Sequence, residues 1–150
     1  MFLGGVMRIS AKAEYACVAM LELAINFAES QPLRIKAIAD AQGIPQRFLV
    51  QILLQLKTAG LVVSLRGAAG GYQLARPPAE ITLASVINAI DDRTLAPRSA
   101  LSEGRRSPAV GVLLAIWQDL QAQEQRALQR ITLAELVRRS QENHALSYQI

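Results

Sequence analysis

Apolar residues recur at helical spacing through the first part of the chain, with breaks at glycine, proline or short polar segments. The pattern predicts three helices, over residues 11–28, 35–42 and 45–59. Ser10 is a favourable N-cap for the first helix, and Gly43 and Gly60 end the second and third. Pro45 is expected in the first turn of the third helix, where its missing N–H costs nothing.

After Gly60 the apolar side chains occupy every second position instead. This alternation predicts two short strands, over residues 61–66 and 72–75. Between them the sequence Gly-Ala-Ala-Gly-Gly at 67–71 supplies the positive φ angles that a hairpin loop needs. The two runs are therefore interpreted as a β-hairpin.

The remainder of the chain returns to helical spacing. Helices are predicted over residues 82–90, 107–130 and 132–141. Thr82 caps the first, a Ser-Pro pair opens the second, and Thr132 with Glu135 forms a capping box for the third. The polar segment 91–107 is predicted to be a long connecting loop. The fold class is mainly α with a small β-hairpin.

Residues 38–52 have the spacing of a helix-turn-helix. The small side chain of Ala39 allows the next helix to cross closely, and Gly43 suits a left-handed turn. Ile44, Leu49 and Ile52 are expected to face inward. Such a helix pair is also common as a purely structural unit. A hairpin directly after it gives the order of a winged helix.

The distribution of charge favours a polyanionic partner. The chain has 150 residues, a formal net charge of +4 and a pI near 9.7. Between positions 41 and 79 it carries Arg47, Lys57, Arg66 and Arg76 and no carboxylate. An acid-free basic face of this kind is what phosphate contacts require, although a merely solvated basic face is the alternative.

Other classes of protein fit the composition poorly. Cys17 is the one cysteine, which excludes an internal disulfide and suggests a reducing, cytoplasmic location. It is expected to be a buried small side chain rather than a redox thiol. His144 is the one histidine and has no predicted catalytic partner, so an enzyme is not expected. The longest apolar stretch, residues 110–117, is much shorter than the about 20 residues of a membrane span.

Three sequence motifs indicate a family. Ser-Leu-Arg-Gly-Ala-Ala-Gly-Gly-Tyr-Gln-Leu at 64–74, Met-Arg-Ile-Ser at 7–10 and Ile-Thr-Leu-Ala-Glu-Leu at 131–136 resemble the Rrf2 family of bacterial winged-helix transcription regulators. The resemblance spans about residues 7–141. It implies a homodimer paired through the long helix 107–130. The dimer contacts expected there are Leu113, Leu114, Trp117 and Leu120.

The resemblance also implies which residues contact DNA. Gln46, Arg47, Phe48 and Gln51 would face the major groove, and Arg66 would enter the minor groove. Phe48 has two interpretations, a contact with a thymine methyl or packing under its helix. Val50 departs from the polar residue of some cluster-sensing members. The expected DNA-binding set also includes Lys57, Gly67, Gly70, Gly71 and Tyr72.

Many members of that family bind an iron–sulfur cluster through three cysteines in the loop before the dimer helix. Segment 91–107 contains no cysteine, and Asp91, Asp92, Ser99 and Glu103 are poor substitutes for thiolates. Glu14, at the place of an oxygen ligand in some relatives, cannot hold a cluster alone. We therefore predict no metal and no cofactor. A small ligand or a partner protein is expected instead, at this loop or in the groove beside the dimer helix.

The sequence thus predicts a homodimeric, sequence-specific DNA-binding regulator, a repressor at a pseudo-palindromic operator. The alternative is a protein-interaction module that has the same fold without DNA binding. Three segments are expected: a DNA-binding domain at 7–80, a linking helix with the effector loop at 81–107, and the dimerisation and C-terminal helices at 108–150. No membrane contact is expected.

Overall fold

The structure is a computed structural model that describes residues 9–91 and 107–149. Its elements are α1 (Ala11–Ile25), α2 (Ile35–Gln42), α3 (Gln46–Thr58), β1 (Val62–Leu65), β2 (Gly71–Leu74), α4 (Leu83–Ile90), α5 (Pro108–Arg130) and α6 (Leu133–Gln149), with short 3₁₀ turns at Phe27–Glu29 and Pro78–Glu80. The predicted class, mainly helical with one antiparallel hairpin, is confirmed. The predicted loop 91–107 lies almost entirely outside the described residues.

The first helix begins where its cap predicts and ends earlier than expected. The Ser10 hydroxyl accepts a hydrogen bond from the Ala13 N–H at 3.0 Å. At the other end, the Asn26 side-chain amide donates to the Glu22 carbonyl at 2.9 Å, and the chain tightens into the 3₁₀ turn. The predicted end at residue 28 is therefore wrong, because a side chain competes for the backbone acceptor.

The helix-turn-helix has the geometry that its sequence predicts. Gly43 adopts φ +68°, and the Ile44 N–H donates to the Ala39 carbonyl at 3.1 Å. Ile44, Leu49 and Ile52 are buried, as expected. Pro45 is the N-cap of α3 instead of lying in its first turn. The prediction for Pro45 is thus wrong by one position.

The wing is a two-stranded hairpin that is also joined to the helices. Residues Val62 and Leu65 pair with Leu74 and Gly71 at the two ends of the antiparallel register. Outside the hairpin, the backbone just before α2 forms a bridge to β2. The N–H groups of Leu33 and Tyr72 donate to each other's carbonyls, at 2.9 and 2.8 Å. The wing is therefore held against the segment that leads into the helix-turn-helix.

The last helices show one full and one partial capping box. Thr82 and Ser85 cap each other at the start of α4. At α6 the Glu135 N–H donates to the Thr132 hydroxyl at 3.2 Å. The Glu135 carboxylate instead binds Arg138 and Arg139, so the predicted box forms only by half. Helix α6 also extends to Gln149, past its predicted end at residue 141.

One hydrophobic core unites the three predicted segments. Ile81 and Val86 from the linking segment and Leu133 from α6 are buried in the same cluster as the helix-turn-helix. A smaller cluster of Ala84, Ile87 and Leu128 connects α4 to α5. The segments are therefore parts of one packed body. Within the described residues, the structure contains no helix long and apolar enough to span a membrane.

Candidate nucleic-acid interface

Helix α3 presents an exposed outer side, which carries polar side chains, opposite its anchoring face. Its buried side carries Leu49, Ile52, Leu53 and Leu56, at the three- and four-residue spacing of one helix face. Gln46, Arg47 and Gln51 are exposed, as a recognition helix requires. Their amide and guanidinium groups can make the bidentate contacts that distinguish adenine and guanine in the major groove.

Phe48 lies at the side of α3 that faces α1. Its ring stacks on the Tyr15 ring, with centroids 6.3 Å apart and an interplanar angle of 24°. The Arg47 guanidinium lies 4.8 Å from the centroid of the Phe48 ring. Of the two interpretations of Phe48, the stack supports packing, although the ring stays 40% exposed. Phe48 thus orients Arg47 and connects α3 to α1.

Lys57 connects the recognition helix to the wing. Its ammonium group donates to the Ser64 hydroxyl of β1 at 2.9 Å. The side chain remains exposed, so the charge is available to a phosphate while the contact sets the position of β1 relative to α3.

Of the wing residues expected to contact DNA, some are exposed and others contact the rest of the protein. Arg66 and Gly67 are exposed, and Gly67 has φ +104°. A Cβ on Gly70 would meet the Leu65 carbonyl oxygen, and one on Gly71 would lie 2.6 Å from the Leu33 carbonyl carbon. These last two glycines therefore allow close backbone approach. Tyr72, partly buried, packs against the core.

Arg34 is a residue of this surface that the sequence analysis missed. Its guanidinium donates a hydrogen bond to the Ala68 carbonyl in the wing loop. The two residues are 34 positions apart, so no local pattern signals the contact. Arg34 thereby holds the loop that carries Arg66.

The basic side chains around α3 and the wing differ in whether a carboxylate pairs with them. Lys36 pairs with Asp40 at 2.8 Å. In the part of the chain that the structure describes, no ion pair links Arg34, Arg47, Lys57 or Arg66 to a carboxylate. We call the surface formed by α3, the wing and the side chains of Arg34, Arg47, Lys57 and Arg66 the basic surface.

Helix α5 carries exposed apolar residues on the side away from the core. Val112 and Ile116 are 60% and 49% exposed, and Leu113 and Leu120 are exposed beside them. We call these four residues the outer face of α5. Leu114 is only 6% exposed and faces inward, so its position does not support the expected dimer contact. Trp117 is partly buried at the edge. The sequence analysis missed Val112 and Ile116.

Cys17 lies on α1 and packs against both hydrophobic clusters. Burial, together with the negative charges of Asp91 and Glu14, raises the pKa of its thiol to about 11. The thiol is therefore protonated near neutral pH. Asp91 accepts a hydrogen bond from the Ser10 hydroxyl at 2.8 Å, which joins the start of α1 to the end of α4.

A cleft of about 160 Å³ opens between the end of α1 and β2. Asn26, Ser30 and Gln31 line it on one side, and Tyr72 and Gln73 of the wing line it on the other. Its lining includes no residue of α5, beside which the sequence predicts an effector groove, and the other predicted place, the loop 91–107, lies almost entirely outside the described residues. The remaining residues of its lining are Leu23, Phe27, Leu33 and Leu74.

A helix-turn-helix followed by a wing, with a basic surface across both, defines a DNA-binding transcription regulator. The family model of Rrf2 iron-dependent transcriptional regulators matches residues 9–139. The chain belongs to the Rrf2 family, as its wing motif indicates.

Individual transcription regulators are also similar to this chain in sequence and in structure. A Mycobacterium tuberculosis protein named as an HTH-type transcriptional regulator is 43% identical over 131 residues, which cover 87% of this chain and 81% of the relative. The regulator IscR of Serratia proteamaculans is 37% identical over 131 residues, covering 87% and 79%. The solved structure of T. potens IscR has a TM-score of 0.75 at 33% identity, covering 91% and 90%. CymR, the global cysteine regulator of B. subtilis, has a TM-score of 0.75 at 31% identity, covering 88% and 97%.

The donor set of this chain does not fit an iron–sulfur cluster. Cluster iron is held mainly by thiolates, and the sequence has one cysteine. Its thiol is largely buried, with a pKa raised to about 11, which opposes ligation as a thiolate. Among the described residues, no group of three His, Cys, Asp or Glu side chains is placed to hold a metal ion. Asp92, Ser99 and Glu103 lie outside those residues.

Proposed function

We propose that this regulator binds a pseudo-palindromic operator as a homodimer and represses transcription there. In each protomer α3 lies in the major groove, and Arg66 at the wing tip enters the adjacent minor groove. The observation that carries the proposal is the basic surface: exposed Arg47 and Gln51 on α3, and exposed Arg66, with no carboxylate from residue 41 to 79.

The outer face of α5 supports the homodimer. Its four apolar residues recur at three-, four- and seven-residue intervals, the spacing of a helix that packs against another helix. A second copy related by a two-fold axis would cover the same face with itself. Contact through α5 would place two recognition helices on one duplex, which matches a two-fold symmetric operator.

The functional division follows from these surfaces. Residues 7–80 contact DNA, 81–107 link that part to the dimer helix, and 108–150 form the dimer. The chain acts as a regulator without catalysis in the bacterial cytoplasm, where chromosomal DNA is accessible. Repression is proposed because a dimer that covers a promoter excludes polymerase without needing a further contact.

The signal is a small ligand or a partner protein instead of a cluster. The cleft beside β2 supports the ligand, because Tyr72 both lines it and forms the backbone bridge that holds the wing. A Gln73→Trp variant would fill the cleft. If metabolites that raise the melting temperature of the native protein no longer do so in this variant, the cleft binds them. An unchanged shift would place the ligand elsewhere.

DNA binding is tested by titrating labelled duplex with the purified chain at increasing sodium chloride. We expect the logarithm of the binding constant to fall linearly with the logarithm of salt, because phosphate contacts release counterions. Selection of bound fragments from genomic DNA then gives the operator. Arg66→Ala should weaken operator binding by about 1–3 kcal/mol.

Arg139→Ala is the matched control, since Arg139 is an exposed arginine on α6 that pairs with Glu135. It should leave operator affinity unchanged. Salt-independent binding, or no binding, contradicts the proposal. An Arg66→Ala variant that binds as the native protein does would instead favour a protein-interaction module with this fold.

A further inference from the structure

The outer side of α3 carries two large apolar side chains among its polar ones. Val50 is 46% exposed and Leu54 is 60% exposed. They are four residues apart, so they are neighbours on one side of the helix. Four other apolar residues already anchor α3 in the core. The exposed surface of Val50 and Leu54 therefore contributes nothing to the packing of a single chain.

These two residues lie within the basic surface. Gln51 follows Val50 directly and precedes Leu54 by three residues, and Arg47 precedes Val50 by three. A protein partner for an apolar patch beside the Arg47 guanidinium would need acidic groups. A duplex supplies the anionic groups through its phosphates, and its major groove also offers one apolar feature, the C5 methyl group of thymine.

Phe48 is less suited to this contact. Its ring is directed toward α1, where it stacks on Tyr15, with the ring centroids 6.3 Å apart. Val50 and Leu54 are the two most exposed large apolar side chains of α3.

We propose that Val50 and Leu54 form a methyl-reading strip that contacts thymine C5 methyl groups in the major groove. The strip requires thymine at fixed positions of each half-site, beside the bases that Arg47 and Gln51 recognise. This inference rests on the proposed function, because it assumes that α3 enters the major groove.

The test uses the selected operator with each thymine replaced, one at a time, by deoxyuridine. The replacement removes one methyl group and leaves the hydrogen-bonding edge unchanged. At one or two thymines per half-site we expect the dissociation constant of the native protein to rise about four-fold, the effect of losing one buried methyl group. Other thymines should show no effect.

Protein variants assign the contacts. Val50→Ala and Leu54→Ala should each weaken binding to the thymine operator, and each should abolish the response to deoxyuridine at its own position. Ile25→Ala is the matched control, because Ile25 is similarly exposed, at 42%, but lies at the end of α1. The Ile25→Ala variant should bind the thymine operator as tightly as the native protein does and should keep the response to deoxyuridine at every position. Circular dichroism verifies that the variants are folded.

The outcomes separate this inference from the proposed function. An operator that binds the native protein equally well with every thymine replaced would overturn the methyl-reading strip and leave DNA binding intact. Variants that lose the same affinity on both duplexes, and so keep the deoxyuridine response, would overturn the assignment to Val50 and Leu54. Absence of any specific operator would overturn both proposals.

Discussion

Replacement of Ile116 by alanine tests whether the outer face of α5 joins two protomers. Ile116 is 49% exposed in the single chain, so about half of its side-chain surface remains to be buried by a partner. Complete burial of such a side chain contributes about 1.5–3 kcal/mol, and half of that is about 1 kcal/mol per protomer. A two-fold axis counts the contact twice, so the variant should lose about 2 kcal/mol of association free energy, or about thirty-fold in the dissociation constant.

Sedimentation equilibrium over a range of protein concentrations measures that constant directly. Ile116→Glu should have a larger effect, because it places two like charges near each other across the axis. Ile25→Ala is the control, because Ile25 is similarly exposed, at 42%, but lies on α1; it should leave association unchanged. If the native protein is a monomer, or if both Ile116 variants dimerise as tightly as the native chain, the reasoning is refuted. Operator affinity measured on the same samples should fall together with dimerisation.

Three further results are expected. Gly71→Ala should lower the free energy of unfolding, measured by urea titration, by about 2 kcal/mol, because the added Cβ would collide with the Leu33 backbone. Gly111→Ala is the control and should not lower it, because a Cβ at Gly111 in α5 would meet open space. The Cys17 thiol should react with a disulfide reagent at pH 8 about a hundred-fold more slowly than a free thiol, because its pKa is raised to about 11. The contribution of this thiol to stability should be complete below pH 9.0, its ordinary pKa, and should be lost as pH rises from there toward about 11, because in that range the unfolded thiol ionises before the folded one does. Arg34→Ala should weaken operator binding without changing the melting temperature by more than about 2 °C, because it releases an exposed loop.

Local signals account for the elements that the sequence predicts correctly. A cap such as Ser10, or a glycine such as Gly43 at positive φ, determines a helix end through contacts within four residues. Two of the errors arise where side chains compete for the same groups. Asn26 ends α1 early, and the carboxylate of Glu135 prefers two arginines to its own helix cap.

The parts of the site that the sequence could not predict depend on contacts between distant segments. Spacing alone places apolar residues on α5 but does not say which side faces the core, so it cannot tell the buried Leu114 from the exposed Ile116. The bond from Arg34 to the wing loop and the bridge between Leu33 and Tyr72 likewise join segments that are far apart in sequence. The exposure of Gln46, Arg47 and Gln51 is predictable because it follows from the amphipathic period of α3, whereas the exposure of Val50 and Leu54 does not.

Helix α1 is the element through which the two proposed surfaces would communicate. On one side Tyr15 stacks on Phe48 of α3, next to Arg47. On the other, Cys17 contacts the small cluster in which α4 meets Leu128 of α5, and Ser10 is bonded to Asp91 at the end of α4. A change in the angle of α5 would therefore reach α3 through packed side chains, with no need for the wing to move first. If the signal passes through α1, a Tyr15→Ala variant should still bind DNA but should no longer respond to the effector. If the signal instead passes through the bridge between Leu33 and Tyr72 in the wing, that variant should respond fully.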